Sequence, residues 1–279
     1  MGTSSSFKGK VGNTLLPNDF GIEDVNMDDV VVDDENANDI TIDNEDAKDT
    51  TSDEENTNDV SDEDAENRIS WTTAKSIMSK YISSNRNIGS PKTIARYYIG
   101  AAGGASGIIR SSSKSRAATI KLGNIFTSFT TKGIIKTLEE LGLLLKDSSL
   151  TEAMSKLVNY VHESAVSKND VAIRVATANT LEKLIELNSD SDKLSIATAT
   201  VLMQYFIADL IWQQMLIEYG YSFEKYGKNV NEAAKVEEEM KDYIKACVEV
   251  AFEANKDKAF TKDIYDTIMR KSLEIMEEA

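Results

Sequence analysis

The chain has 279 residues and a net charge of -16, and one segment accounts for this charge. Residues 22–66 carry 20 acidic side chains and one lysine, whereas the rest of the chain has a net charge of +3. An acidic segment repels phosphate and the remainder is nearly neutral, so the composition argues against direct nucleic-acid binding.

Cysteine and histidine each occur once, as Cys247 and His162. A single cysteine cannot form an intramolecular disulfide, which is typical of a reducing compartment, and we predict a cytoplasmic protein. One of each residue also cannot build a Cys/His zinc site, so neither a metal nor another cofactor is predicted.

Residues 1–21, "MGTSSSFKGKVGNTLLPNDFG", show no helical or strand period and no secretory apolar region. Removal of Met1 would leave Gly2 with a free amine, which we predict is presented to a protein partner, either as a modification site or at the tip of a threading tail. The residues predicted to guide partner recognition are Thr3, Ser4, Ser5, Ser6, Phe7, Leu15, Leu16 and Pro17. The start also matches the myristoylation pattern, but one acyl chain binds membranes weakly and the acidic segment repels anionic lipid. We therefore expect no membrane association.

Residues 22–66 contain no aromatic residue, glycine or proline. High charge with little apolar surface predicts a disordered acidic linker. A flexible chain of this length spans roughly 35–40 Å, which would hold the N-terminus away from the body. Specific calcium binding is disfavoured because a calcium loop needs a glycine at its sharp turn.

Residues 67–279 show helical periodicity, and the only two prolines of the chain precede residue 92. This predicts an all-α domain following the short N-terminal motif and the linker. Ser70, Ser90 and Ser149 are predicted helix N-caps, with Pro91 in the first turn of the second helix. A break between two helices is predicted near residues 130–133.

Two later segments have clear helical faces. The predicted core positions are Val171, Val175, Ala178, Leu181 and Ile185 in the first, and Val236, Met240, Ile244, Cys247, Val248 and Ala251 in another. Between them, residues 194–219 are strongly apolar. Asp209 in their middle would disfavour membrane insertion by roughly 2.5–3.5 kcal/mol, so we predict a buried core helix.

The glycine-rich segment 100–115 lacks the spacing of a phosphate-binding loop or a dinucleotide fingerprint. We predict a connection between helices, or close helix packing allowed by small residues. The basic residues that follow or interrupt it are Arg110, Lys114, Arg116 and Lys121. They could meet a polyanion, dock the chain's own acidic segment, or form a solvated face.

Catalytic residues are not evident in the body. His162 would need a nearby nucleophile and an orienting carboxylate to act as a general base. The Glu-x-x-His pattern of di-iron helices is absent because Asn159 precedes His162 by three residues. We predict that the chain is not an enzyme.

The stretches "GTSSSFKGKVGNTLLPNDF", "SWTTAKSIMSKYISS" and "YYIGAAGGASGIIRSSSKS", followed by a helical body, resemble the QatB family. This family is a component of the bacterial Qat anti-phage defence system. The resemblance implies three partners: a QueC-like enzyme (QatC), an ATPase (QatA) and a TatD-like nuclease (QatD).

Two functions are compatible with this resemblance. QueC-type enzymes use ATP to activate a deazaguanine carboxylate, so the Gly2 amine could replace ammonia as the nucleophile and form an amide. The chain would then be a substrate whose N-terminus is presented to QatC. Alternatively, the helical body is a structural scaffold that docks on QatA without any modification.

Overall fold

The computed structural model describes residues 69–84, 86–146, 148–163, 166–188, 191–226, 230–255 and 262–278. Ten α-helices and no strand occur among these residues, so the predicted all-α class is confirmed for this part of the chain. The helices are α1 (Trp71–Ser83), α2 (Pro91–Ala101), α3 (Gly104–Ser111), α4 (Ser113–Thr131), α5 (Ile134–Glu140), α6 (Leu150–Val161), α7 (Lys168–Leu187), α8 (Ile196–Tyr226), α9 (Val230–Glu253) and α10 (Lys262–Glu278).

Serine side chains cap the N-termini of several helices. Ser70, Ser90 and Ser149 accept a hydrogen bond from the backbone N–H three residues further on, at 3.1 to 3.2 Å. These three predicted caps are therefore confirmed. Ser167 caps α7 in the same way. The Asp170 carboxylate accepts a hydrogen bond from the backbone N–H of Ser167, which completes a capping box.

Helix α8 is the centre of the packing and contacts α1, α4, α7 and α9. Phe206, Trp212 and Tyr219 are fully buried on it, so the predicted core helix is confirmed. Asp209 is also buried, and its two oxygens accept bonds from Asn179 (2.8 Å) and Gln213 (3.2 Å). Within the described residues, none of the helices has the length and apolar character that crossing a membrane requires.

Glycines with positive φ make two of the turns. Gly103 (φ 85°) lies between α2 and α3, Gly104 (φ 78°) begins α3, and Gly133 (φ 97°) separates α4 from α5. Other residues rarely adopt this left-handed conformation. The glycine-rich segment therefore contains a tight turn between helices, and the predicted break at residues 130–133 is confirmed.

The predicted core face of α7 is largely wrong. Leu181 is buried, but Val171, Val175, Ala178 and Ile185 are exposed. The core side of the helix is formed instead by Ala172, Ile173, Ala176, Thr177, Thr180, Leu181 and Leu184. The predicted face of α9 is confirmed, because all six of its residues are buried.

Gly123 of α4 allows close contact with α10. A Cβ atom at this position would lie 2.6 Å from Cε2 of the buried Tyr265 ring. We expect Gly123→Ala to lower the free energy of unfolding by about 1–3 kcal/mol, because the buried ring must shift to make room for the added methyl group. Urea denaturation followed by circular dichroism would measure this change.

Gly220 of α8 provides the matched control. A Cβ atom there would meet no other atom within 4 Å. We expect Gly220→Ala to stabilise the protein by about 0.5–1 kcal/mol, since alanine lowers the entropy of the unfolded chain. If both substitutions change the free energy of unfolding by the same amount, the contact between position 123 and Tyr265 does not determine the stability of the variant.

Candidate functional site

A polar cavity of about 310 Å³ opens between α1, α2, α3, α8 and the first turn of α7. Its lining residues are Trp71, Tyr98, Ala101, Ala102, Ile108, Ser111, Ser112, Asn169, Gln214, Ile217 and Glu218. Several of them belong to the segments 70–84 and 97–116, which carry the family resemblance. These two segments, separate in sequence, therefore meet at one cavity.

The glycine turn shapes one wall of this cavity. It folds α3 back against the end of α2, where Ala101 and Ala102 leave open space. Gly107 permits the close approach, since a Cβ atom there would lie 2.6 Å from the carbonyl oxygen of Ala102. A larger residue at Gly107 would therefore separate α3 from α2 and change this wall.

The opposite wall combines aromatic and polar side chains. The rings of Trp71 and Tyr98 meet edge to face, with centroids 5.6 Å apart. Burial raises the pKa of the Tyr98 hydroxyl, so this group stays protonated at neutral pH. The Nε2 atom of Gln214 donates to Ser115 Oγ at 3.0 Å, and Glu218 forms an ion pair with Lys75 at 3.1 Å.

A buried carboxylate network lies beside the cavity at the start of α7. Asp170 is fully buried, and its Oδ1 atom lies 2.9 Å from both Lys114 Nζ and His162 Nε2. Its Oδ2 atom accepts a bond from the backbone N–H of Ser167 at 2.9 Å. Arg174 donates to the carbonyl oxygen of His162 at 3.1 Å. The network joins α4, α6 and α7 around one negative charge.

The predicted basic residues do not form a single patch. Lys114 binds Asp170, Lys121 binds the carbonyl oxygen of Tyr160 and lies over its ring, and Arg116 makes two bonds to Asp266 of α10 at 2.7 and 2.5 Å. Arg116 lies on a different side of α4 from the two lysines, because the partners belong to different helices. Arg110 is exposed at the end of α3. Binding of a polyanion by these residues stays a prediction.

His162 lies beside the orienting carboxylate that a general base needs, whereas Cys247 is in an unreactive setting. His162 ends α6 and its side chain is 13% exposed, with Nε2 beside Asp170. Cys247 is buried, and this burial raises the pKa of its thiol, which keeps the thiolate population low. Among the residues that the structure describes, no three His, Cys, Asp or Glu side chains could together hold a metal ion.

The N-terminal predictions lie outside the described residues. They comprise the modification site Gly2, the recognition residues Thr3, Ser4, Ser5, Ser6, Phe7, Leu15, Leu16 and Pro17, and the linker 22–66. Sequence reasoning also missed the network around Asp170. The spacing of Ser167 and Asp170, a capping-box signature, was the local signal that could have indicated it.

Comparison with known proteins identifies the helical body. A model of the family described as "QatB: Qat anti-phage system associated protein QatB" matches residues 103–276, which include most of the chain and run from the glycine turn into α10. No curated protein and no solved structure gives a significant match. The family match covers more than half of the 279 residues and includes the cavity's α3, α7 and α8 walls. The chain therefore belongs to the QatB family and is a component of the Qat anti-phage defence system.

Proposed function

We propose that this chain is a non-catalytic component whose Gly2 amine is presented to the QueC-like enzyme QatC for conjugation to a deazaguanine. The observation that carries the proposal is the sequence of the first 17 residues. Gly2 follows Met1, four small hydroxyl residues come next, and apolar residues at positions 7, 15 and 16 could anchor the segment. A narrow enzyme pocket could accept such a start because no bulky side chain surrounds the amine.

The proposed reaction forms one amide bond. ATP would activate the deazaguanine carboxylate as an acyl adenylate, with release of pyrophosphate. The Gly2 nitrogen would then attack the acyl carbon, AMP would leave, and the nitrogen would lose one proton. The catalytic groups for both steps would belong to the partner enzyme.

An α-amine suits this attack better than a lysine side chain does. Its pKa is about 7.7–8.0, against about 10.4 for lysine, so a much larger fraction is unprotonated at neutral pH. Each of the 24 lysines of the chain would compete poorly as a nucleophile for that reason alone.

The intact mass of the chain, purified from cells that also express QatC, tests the proposal. We expect loss of Met1 and an added mass equal to one deazaguanine acyl group, located on Gly2 by peptide fragmentation. The same chain expressed without QatC is the control and should show only the loss of methionine. An unmodified Gly2 in cells that resist phage would contradict the proposal.

A second candidate function is a scaffold that docks on the ATPase QatA through the helical body. The meeting of segments 70–84 and 97–116 at one open polar cavity favours it, because a cavity of this kind could receive a segment of a partner. Deletion of residues 2–20 separates the two functions. A scaffold would keep both the complex and phage resistance after this deletion, whereas a conjugation substrate would lose resistance.

A further inference from the structure

The solvent side of α7 carries an apolar stripe. Val171, Val175 and Ile185 are 50%, 37% and 44% exposed, and Ala178 between them is also exposed. Other residues of α7 form the side of the helix that is buried in the core, so the exposed apolar residues take no part in that packing. Single exposed apolar side chains are common on protein surfaces, whereas here four of them lie on one side of one helix.

The spacing of the stripe is that of a helix–helix seam. Positions 171, 175, 178, 182 and 185 alternate steps of four and three residues, and at 3.6 residues per turn they fall within an arc of about 80°. Glu182 is the one charged member. The seam extends along about 21 Å of the helix axis, at 1.5 Å per residue.

The charges beside the seam distinguish among possible partners. Arg174 lies toward the N-terminal end and Glu182 toward the C-terminal end, each four positions from Ala178. If a second α7 packs antiparallel with a two-fold axis at Ala178, each Arg174 faces a Glu182 of the other copy. The same operation places Val171 opposite Ile185. A parallel pair would instead set like charges against each other.

Other features of the residues agree with the antiparallel pair. Alanine at the axis lets two helices approach closely. Arg174 uses one guanidinium nitrogen for the carbonyl oxygen of His162, and a guanidinium has five N–H donors, so others could reach a carboxylate. Glu182 is exposed. Asn169 lines the polar cavity from the other side of α7, so a dimer through the stripe would leave the cavity open.

We propose that the α7 stripe is a homodimer interface, in which two copies of this chain pack antiparallel about Ala178. The interface is isologous, because the same surface is used on both copies. A single helix seam of about 21 Å buries less surface than a standard stable interface does. We therefore expect the fraction of dimer to depend on protein concentration.

Disulfide crosslinking of the full chain tests this arrangement. Ala178→Cys places two thiols at the two-fold axis, and mild oxidation should give a covalent dimer in high yield. Ala246→Cys is the matched control, since Ala246 is likewise an exposed helical alanine, on α9. The wild-type chain controls for the buried Cys247. Crosslinking of Ala178→Cys no faster than that of Ala246→Cys would overturn the proposal.

Charge exchange gives a second, independent test. Arg174→Glu and Glu182→Arg should each raise the dimer dissociation constant by about tenfold or more, because each creates two like-charge pairs. The double variant should recover most of the affinity. Light scattering over a range of concentrations measures the mass, and unchanged circular dichroism checks the fold. A wild-type chain that stays monomeric at every concentration, or single variants that dimerise like the wild type, would overturn the proposal.

Discussion

Asp170→Ala is expected to lower the free energy of unfolding by about 2–4 kcal/mol, through the loss of charged hydrogen bonds and of a helix cap. The carboxylate is fully buried and lies within hydrogen-bond distance of groups from three helices. Without it, the Ser167 N–H and the His162 ring would lose their acceptor in a place that water reaches poorly. Urea denaturation at neutral pH measures the change.

Two further variants separate the contributions to this effect. Asp170→Asn can still accept the bond from Ser167, so it should destabilise the protein less than alanine does. Lys114→Ala should have an effect below about 1 kcal/mol, because the lysine side chain is 54% exposed and its ion pair is largely hydrated. If Lys114→Ala and Asp170→Ala destabilise the protein equally, the buried carboxylate is not the centre of the network.

Local signals explain why several features could be predicted from the sequence. A serine before an apolar period is a cap wherever the helix finally packs, so Ser70, Ser90 and Ser149 needed no tertiary information. The α9 face was also unambiguous, because glutamate and lysine residues occupy the opposite side of that helix. In both cases the information lies within one or two turns of the chain.

Helix α7 could not be oriented from its sequence because both of its sides are apolar enough to be buried. The side that packs inward includes Thr177 and Thr180, which look polar in a sequence. Their hydroxyls donate to the carbonyl oxygens of Ile173 and Ala176, each at 2.7 Å, so burial leaves no hydroxyl without a partner. The valines that looked like core residues were left on the surface.

The candidate site depended on contacts between distant parts of the chain. Lys114 and Arg116 are two residues apart, yet their partners Asp170 and Asp266 lie on α7 and α10. Basic residues that are close together in the sequence therefore bind carboxylates on two different helices. The cavity could not be predicted from the sequence either, because Trp71, Tyr98 and Gln214 come together only when α1, α2 and α8 pack.

Gly2→Pro is expected to abolish both the adduct on the N-terminus and phage resistance. Proline would still follow a removable methionine, but its nitrogen is a secondary amine held in a ring. Attack on an acyl adenylate would then require a more crowded nucleophile, and the amide formed would carry no N–H. Intact mass measurement of the chain co-expressed with QatC, together with plaque counts, would record the two losses.

Gly2→Ala is the matched control for this prediction, because it keeps a primary amine and adds only one methyl group. We expect a slower conjugation that is still detectable, with resistance reduced in proportion. The first described helix begins only at Trp71, so we expect complex formation with the other Qat components to be the same for both variants. Resistance at the wild-type level in Gly2→Pro would show that the N-terminal amine is not the reacting group. The scaffold function, with docking through the helical body, would then account for the role of this chain in defence.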